Sequence, residues 1–228
     1  MFIVRKADRD KMKWKYLLFD LDGTITDSSE GIINCVIYAL EAAGVDIPDY
    51  TKLLGFIGPP LVEGFQDIAG MTEEDARQAT AKYRERYSVI GLFENKVYEG
   101  IPALLEDLKA QGKVIALATS KPETYSIRIL QHFRLMKYFD VVVGSTLEGE
   151  RNHKKDVIQE VFRRMNLPEN EKEKVLMIGD RKQDVEGAKT CGISCAGVYY
   201  GFAEKGELEA AGADYIAEDV EALRKLIL

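Results

Sequence analysis

A chain of 228 residues that is 46% hydrophobic and 30% charged has a globular rather than a disordered composition, and its length suits one large domain or a core with a smaller companion. A formal net charge of −7 argues against a nonspecific nucleic-acid or anionic-membrane binder. No apolar run reaches membrane-spanning length, and the mixed, charged segment Met1 to Lys13 does not read as a signal peptide. Cys35, Cys191 and Cys195 lack CxxC spacing, so they give neither a disulfide framework nor a zinc pattern, and a reducing cytoplasm is the expected setting.

The first informative segment is Tyr16-Leu17-Leu18-Phe19-Asp20-Leu21-Asp22-Gly23-Thr24. Its apolar run, bounded by a glycine turn, predicts a short buried strand over 15–20. Asp20 and Asp22 then lie where the strand ends, which is where ligands bind in a sheet covered by helices. Two carboxylates there are costly without a neutralising cation. From about 27 to 96 strong strand runs are absent. Ile32, Ile33, Val36, Ile37 and Leu40 recur at helical spacing behind Asp27, Ser28 and Ser29, and Thr72-Glu73-Glu74-Asp75 opens another helix with an acidic first turn. Gly55 to Pro60 reads as a stiff loop facing substrate, with Gly58 at its centre. This stretch is expected to be an all-helical insertion whose ends are close together, able to open and close over strand ends.

Beyond residue 97 the pattern is regular. Strands are predicted at 113–118, 140–144, 174–179 and 193–198, and helices at about 101–111, 122–133, 154–166 and 183–190, with an amphipathic helix in Ala217 to Leu228. Alternation of this kind indicates an α/β fold with a mainly parallel sheet joined by right-handed crossovers. Asn170 to Lys174 reads as a solvated loop, Arg181 and Lys182 as solvated charges, and Trp14 as packing. His132 and His153 are not clustered and read as structural or surface residues.

Four groups of polar residues fall at or just after predicted strand ends: Asp20 with Asp22, Thr119-Ser120-Lys121, Lys154, and Gly179-Asp180 with Asp184. Together they suggest phosphoryl transfer to a carboxylate nucleophile. Such an enzyme must neutralise charge and align an in-line attack. Mg²⁺ held by Asp20 and Asp180 would remove the repulsion between nucleophile and phosphate. Thr119 can donate to a phosphoryl oxygen, Lys154 can offset negative charge, and backbone N–H groups of the turn at Gly23 and Thr24 can bind the remaining oxygens. Ser120 and Lys121 are candidates for a further substrate contact. Asp22 is placed to protonate the leaving oxygen and then activate water. Lys154 and Lys155 adjoin, and register against the apolar pair Val157-Ile158 favours Lys154.

At these residues the chain resembles the haloacid dehalogenase superfamily of phosphatases, over about residues 14–228. Asp20-Leu21-Asp22-Gly23-Thr24 matches its first motif, Thr119 the second, Lys154 the third, and Gly179-Asp180 with Asp184 the acidic fourth. The resemblance implies a Rossmann-like parallel-sheet core at 13–26 and 97–228, a helical cap at 27–96 and an N-terminal extension at 1–12. It implies Asp20 as nucleophile, Asp22 as acid/base, and Mg²⁺ on the side chains of Asp20 and Asp180 and the carbonyl of Asp22, with Asp184 assisting. Thr119-Ser120-Lys121-Pro122 and Gly197-Val198-Tyr199-Tyr200-Gly201 are similar to phosphoglycolate phosphatase-like members. Asp22 disfavours dehalogenase and phosphonatase chemistry, and Ile32 stands where a sugar-phosphate mutase of the superfamily has histidine.

The expected function is therefore Mg²⁺-dependent hydrolysis of a small phosphomonoester of the phosphoglycolate type through an aspartyl phosphate on Asp20. Related alternatives are a 5′-nucleotidase or a pyrophosphatase, and a remote one is a non-enzymatic phospho-signalling or phosphate-binding module. The expected partner is a small phosphorylated metabolite, with no nucleic acid and no membrane. Oligomeric state is not legible.

Overall fold

The computed structural model describes residues 14–147 and 151–228. The extension at 1–12 lies outside the described residues. The chain divides into two compact units, one comprising the sequence up to Ile25 together with Val97–Leu228 and the other Thr26–Lys96.

The first unit is built on a six-stranded parallel sheet of β1 (Tyr16–Phe19), β4 (Val114–Pro122), β5 (Val141–Ser145), β6 (Val175–Gly179), β7 (Ser194–Val198) and β8 (Tyr215–Ala217), in the order β5-β4-β1-β6-β7-β8. β1 is central and its four residues are all buried, which is why it reads as an unbroken apolar run rather than an alternating one. The chain steps from β1 to β4 and β5 on one side, then jumps to β6 on the other. The strand order thus reverses at β1, and in open α/β sheets ligands bind beside such a reversal, at the carboxyl ends of the strands.

Helices α5 (Ile101–Ala110), α6 (Glu123–His132), α7 (Lys154–Met165), α8 (Lys182–Cys191), α9 (Glu207–Ala211) and α10 (Val220–Ile227) connect and flank the strands. One core cluster joins Leu18, Met177 and Cys195 of the sheet to Val157, Ile158 and Val161 of α7 and Val185 of α8. Each large apolar side chain buried there contributes about 1.5–3 kcal/mol. Helix α7 stops at Asn166, whose left-handed conformation (φ 48°) lets its N–H cap the carbonyls of Arg163 and Phe162.

The second unit carries α1 (Ser29–Ala43), α2 (Tyr50–Leu54), α3 (Leu61–Asp67) and α4 (Glu73–Arg86), which runs on into a π-turn at Tyr87–Gly91. Gly31 and Gly91 let α1 and the π-turn cross closely, since a Cβ on Gly31 would stand 2.1 Å from the Gly91 carbonyl oxygen. Arg86 grips Glu94 with two hydrogen bonds of 2.6 and 2.8 Å and reaches the Cys35 sulfur at 3.2 Å. The chain passes between the units at two short strands, β2 (Thr26–Asp27) and β3 (Lys96–Val97), which form their own two-stranded sheet.

Several local expectations change. β4 runs to Pro122 instead of ending at Ala118, with an irregularity between those residues, because Pro122 keeps the residue before it extended. Residues 170–174 belong to a 3₁₀ turn, Glu169–Lys174, in which Glu171 accepts from Lys15, Lys174 and the Tyr16 hydroxyl. Arg181 is also no solvated charge: its side chain is mostly buried and paired with Glu207 at 3.0 Å. Trp14 is packing, as expected, its ring meeting Tyr215 edge-on at 5.9 Å. Among the described residues no helix is long and apolar enough to cross a membrane.

Candidate active site

Three adjacent strands deliver the first polar groups. β1 ends at Phe19, whose register partners are Leu117 of β4 and Ile178 of β6. Asp20, Thr119 and Asp180 therefore emerge side by side at the carboxyl edge. The Asp20 N–H still donates to the Ile178 carbonyl at 2.9 Å, so the backbone under the carboxylate is held by the sheet.

Lys154, the first residue of α7, reaches under this edge. Its ammonium lies 2.9 Å from Asp20 Oδ1 and 2.7 Å from Asp184 Oδ1, and it donates to the Ala118 carbonyl at 2.9 Å. Lys155 is exposed. Burial alone would lower the Lys154 pKa, but the Asp184 and Asp20 carboxylates outweigh it and raise the value, so the group is a fixed cation. Asp184 is the third residue of α8 and accepts the Arg181 N–H at 3.1 Å through Oδ2. Its carboxylate fits only because residue 179 is glycine: a Cβ there would stand 2.1 Å from Asp184 Cγ.

Asp20, Asp180 and Asp184 are all buried, and each offers a carboxylate oxygen within 4.8 Å of the others. Burial, and after it the charges of Asp184 and Asp20, push Asp180 well above the ordinary carboxylate range. Burial likewise raises Asp184 to about 6, against the pull of Lys154 and with a further push from Asp20. Only Asp20 and Asp184 touch the Lys154 ammonium, so the three-carboxylate cluster holds more acid than base, an imbalance that a cation would offset. The donor set is all oxygen, the kind hard cations such as Mg²⁺ prefer. The residues present fit a metal of that class.

Asp22 stands apart from this cluster. Its Oδ2 lies 2.7 Å from the Lys121 ammonium, while its Oδ1 is buried with no hydrogen-bond partner among the described residues. Lys121 is itself buried, not a surface lysine. Its N–H donates to Thr119 Oγ1 at 3.2 Å, which uses that hydroxyl as an acceptor and leaves its proton for another partner. Gly23 takes a positive φ of 79°, turning the chain tightly after Asp22, and Thr24 is buried with its hydroxyl donating to Asp180 Oδ1 at 3.2 Å. Ser120 is half-buried at the end of β4. Gly58 belongs to the Thr26–Lys96 unit, in the loop between α2 and α3, with a φ of 109°.

The structure therefore brings Asp20, Asp180, Asp184 and Lys154 together, and pairs Asp22 with Lys121. The sequence reading did not foresee that pair: the lysine was visible, but nothing in its spacing names a partner 99 positions away.

Residues 17–198 match the family model of haloacid dehalogenase-like hydrolases. A protein of Pseudomonas aeruginosa named 5′-nucleotidase is 42% identical over 216 residues, covering 95% of this chain and 96% of its own. The tyrosine-protein kinase PtkA of Mycobacterium tuberculosis is 33% identical, covering 98% of this chain and 76% of its own. A crystal structure of a predicted phosphatase from Clostridium acetobutylicum superposes with a TM-score of 0.88 at 44% identity, covering 93% of this chain and 97% of its own. With the family model spanning most of its length, the chain belongs to the haloacid dehalogenase-like hydrolases.

Proposed function

We propose that this protein is a Mg²⁺-dependent phosphomonoesterase that carries the phosphoryl group transiently on Asp20 and takes nucleoside 5′-monophosphates as substrates. The observation that supports the chemistry best is the buried set of three carboxylates, two of them on the Lys154 ammonium, at the point where the strand order reverses. The 42% identity to a protein named 5′-nucleotidase is what moves nucleotides ahead of the phosphoglycolate expected from sequence.

Mg²⁺ bound by Asp20, Asp180 and the Asp22 carbonyl, with Asp184 assisting, would offset the negative charge of the incoming phosphate. The remaining work belongs to the chain. An Asp20 carboxylate oxygen attacks phosphorus while the ester P–O bond breaks. Asp22 gives its proton to the leaving oxygen, and Lys121 holds the Asp22 carboxylate in place. In the second step Asp22 takes a proton from water, the water oxygen attacks phosphorus, and the bond to Asp20 breaks to release phosphate. Thr119 and the N–H groups of the turn at Gly23 and Thr24 hold phosphoryl oxygens, with Ser120 at the margin. Lys154, 2.9 Å from Asp20 Oδ1, fixes the direction of the Asp20 carboxylate.

We take the helical unit as a cap over residues 27–96 on a core of 13–26 and 97–228, with Gly58 in a loop that meets the substrate. Cys35, Cys191 and Cys195 are buried thiols, which suits a reducing compartment, and the cytoplasm is the proposed location.

The test is phosphate release over a panel of nucleoside monophosphates, phosphoglycolate, sugar phosphates and pyrophosphate, with and without Mg²⁺. Turnover of the nucleotides above the rest is expected, with loss in EDTA. Because one relative is named a tyrosine kinase, a tyrosyl peptide with ATP belongs in the panel; phosphopeptide formation without phosphate release would overturn the reading.

A further inference from the structure

Tyr199-Tyr200-Gly201, from the stretch Gly197 to Gly201 that resembles phosphoglycolate phosphatase-like members, continues into Phe202 after β7 and has no part in the chemistry above. In the structure it closes on Asp180. The Phe202 N–H donates to Asp180 Oδ2 at 2.8 Å. The Tyr200 hydroxyl donates to the Thr24 carbonyl at 3.1 Å, and the Thr24 hydroxyl in turn donates to Asp180 Oδ1 at 3.2 Å. Both oxygens of the carboxylate are therefore engaged, one directly by the segment and one through Thr24. The Tyr200 ring is locked edge-on against Tyr98 at 5.1 Å between centroids.

Two glycines make this possible. A Cβ on Gly201 would stand 2.3 Å from the Gly23 carbonyl oxygen, 2.5 Å from Asp180 Cβ and 2.6 Å from Asp180 Oδ2. A Cβ on Gly23 would stand 1.9 Å from Asp180 Oδ2. Asp180 is thus flanked closely by the turn that follows β1 and the segment that follows β7. A carboxylate with both oxygens accepting a hydrogen bond, and with oxygens of Asp20 and Asp184 within 4.8 Å, is pre-organised to receive a cation.

We propose that Tyr200, Gly201 and Phe202 are positioning residues for Asp180, and that through it they set the affinity of the divalent-metal site. The inference rests on the reading of Asp180 as a metal ligand. Partners that orient a metal ligand are typically worth about 10–100-fold in metal affinity.

The experiment measures Mn²⁺ and Mg²⁺ binding to the metal-free full-length protein by titration calorimetry, with no substrate present. Gly201→Ala is expected to weaken Mn²⁺ binding by about 10–100-fold. Tyr200→Phe, which keeps the ring and removes only the donor to Thr24, should weaken it several-fold, and its phosphatase activity should recover as Mg²⁺ is raised. If Gly201→Ala fails to fold, Tyr200→Phe carries the test alone. Asp180→Asn should abolish binding. Loss of binding in Asp180→Asn with unchanged affinity in Tyr200→Phe and Gly201→Ala would overturn the positioning role alone. Retained binding in Asp180→Asn would overturn the metal assignment beneath it. A Tyr200→Phe enzyme that is slow at saturating metal, with normal affinity, would also overturn the proposal.

Discussion

The ammonium of Lys121 lies 2.7 Å from Oδ2 of Asp22, and both side chains are largely withdrawn from solvent. The ion pair fixes one oxygen of the Asp22 carboxylate, while the other, Oδ1, is buried with no hydrogen-bond partner among the described residues.

Removing that cation should damage proton transfer more than binding. Lys121→Met is expected to lower kcat on nucleoside monophosphates by about 10–100-fold, a fraction of the roughly 10²–10⁴ that a positioned proton donor supplies. The loss should shrink on p-nitrophenyl phosphate, whose leaving group needs little protonation. Steady-state kinetics on both substrates check this, and an equal loss on the two would contradict the role.

Asp20→Asn should leave the fold intact and remove turnover, because an amide is a poor nucleophile for phosphorus. Circular dichroism and phosphate release together check it. Substantial residual activity would exclude Asp20 as the attacking group.

Lys154 serves stability as well as chemistry. Its ammonium is the shared partner of Asp20 and Asp184, all three buried. Lys154→Met strands two carboxylates in the interior, and losing one partner of a buried pair typically costs about 3–5 kcal/mol. Urea unfolding in EDTA should show a loss of that order, and Mg²⁺ should restore part of it.

The carboxylate cluster also gives the metal-free protein an unusual pH profile. Asp184 has a folded pKa raised to about 6, and Asp180 is raised as well. The folded state therefore holds more protons than the unfolded one, and stability falls as pH rises through that range. Glu160 and Glu171 act in the opposite sense, since hydrogen bonds from their partners lower both to about 2, but their contribution changes only at more acidic pH. Between pH 7 and 5 the metal-free protein should gain thermal stability on acidification, and saturating Mg²⁺ should flatten that slope. Calorimetric Tm values at several pH values, with and without EDTA, test the sign.

In the helical unit, Arg86 is the polar tie, with two hydrogen bonds to Glu94 and one to Cys35. Charge-assisted bonds of this kind are worth about 1.5–3 kcal/mol when partly buried. Arg86→Met should lower stability by that order, measured by urea unfolding, while leaving metal binding by the Asp20 cluster untouched.

What the sequence made legible follows from burial. β1, β4, β5, β6 and β7 read as apolar runs because they are covered on both faces. β8 has three residues at the sheet edge and α9 five, too few for a period to show. β2 and β3, with two residues each, leave no pattern at all. Lys154 could be told from Lys155 because α7 has one buried face, and Val157 and Ile158 mark it. Pairs such as Lys121 with Asp22 or Arg181 with Glu207 join segments far apart in sequence, and charge alone does not say which acid meets which base. The contact of Gly201 with Asp180 is hidden for a related reason, since a glycine required by a neighbour's volume looks like any other turn glycine.

The pairing of β2 with β3 has a practical consequence. The helical unit enters and leaves through two hydrogen-bonded strands, as one uninterrupted stretch from Thr26 to Lys96. Asp20, Asp22, Thr119, Lys121, Lys154, Asp180 and Asp184 all lie outside that stretch. It is therefore a cassette: a short linker from Ile25 to Val97 would excise it without cutting a strand of the large sheet, and a cassette from a relative could be spliced in at the same two points. Such chimeras would test whether the proposed cap decides which ester is cleaved while the residues outside it break the bond.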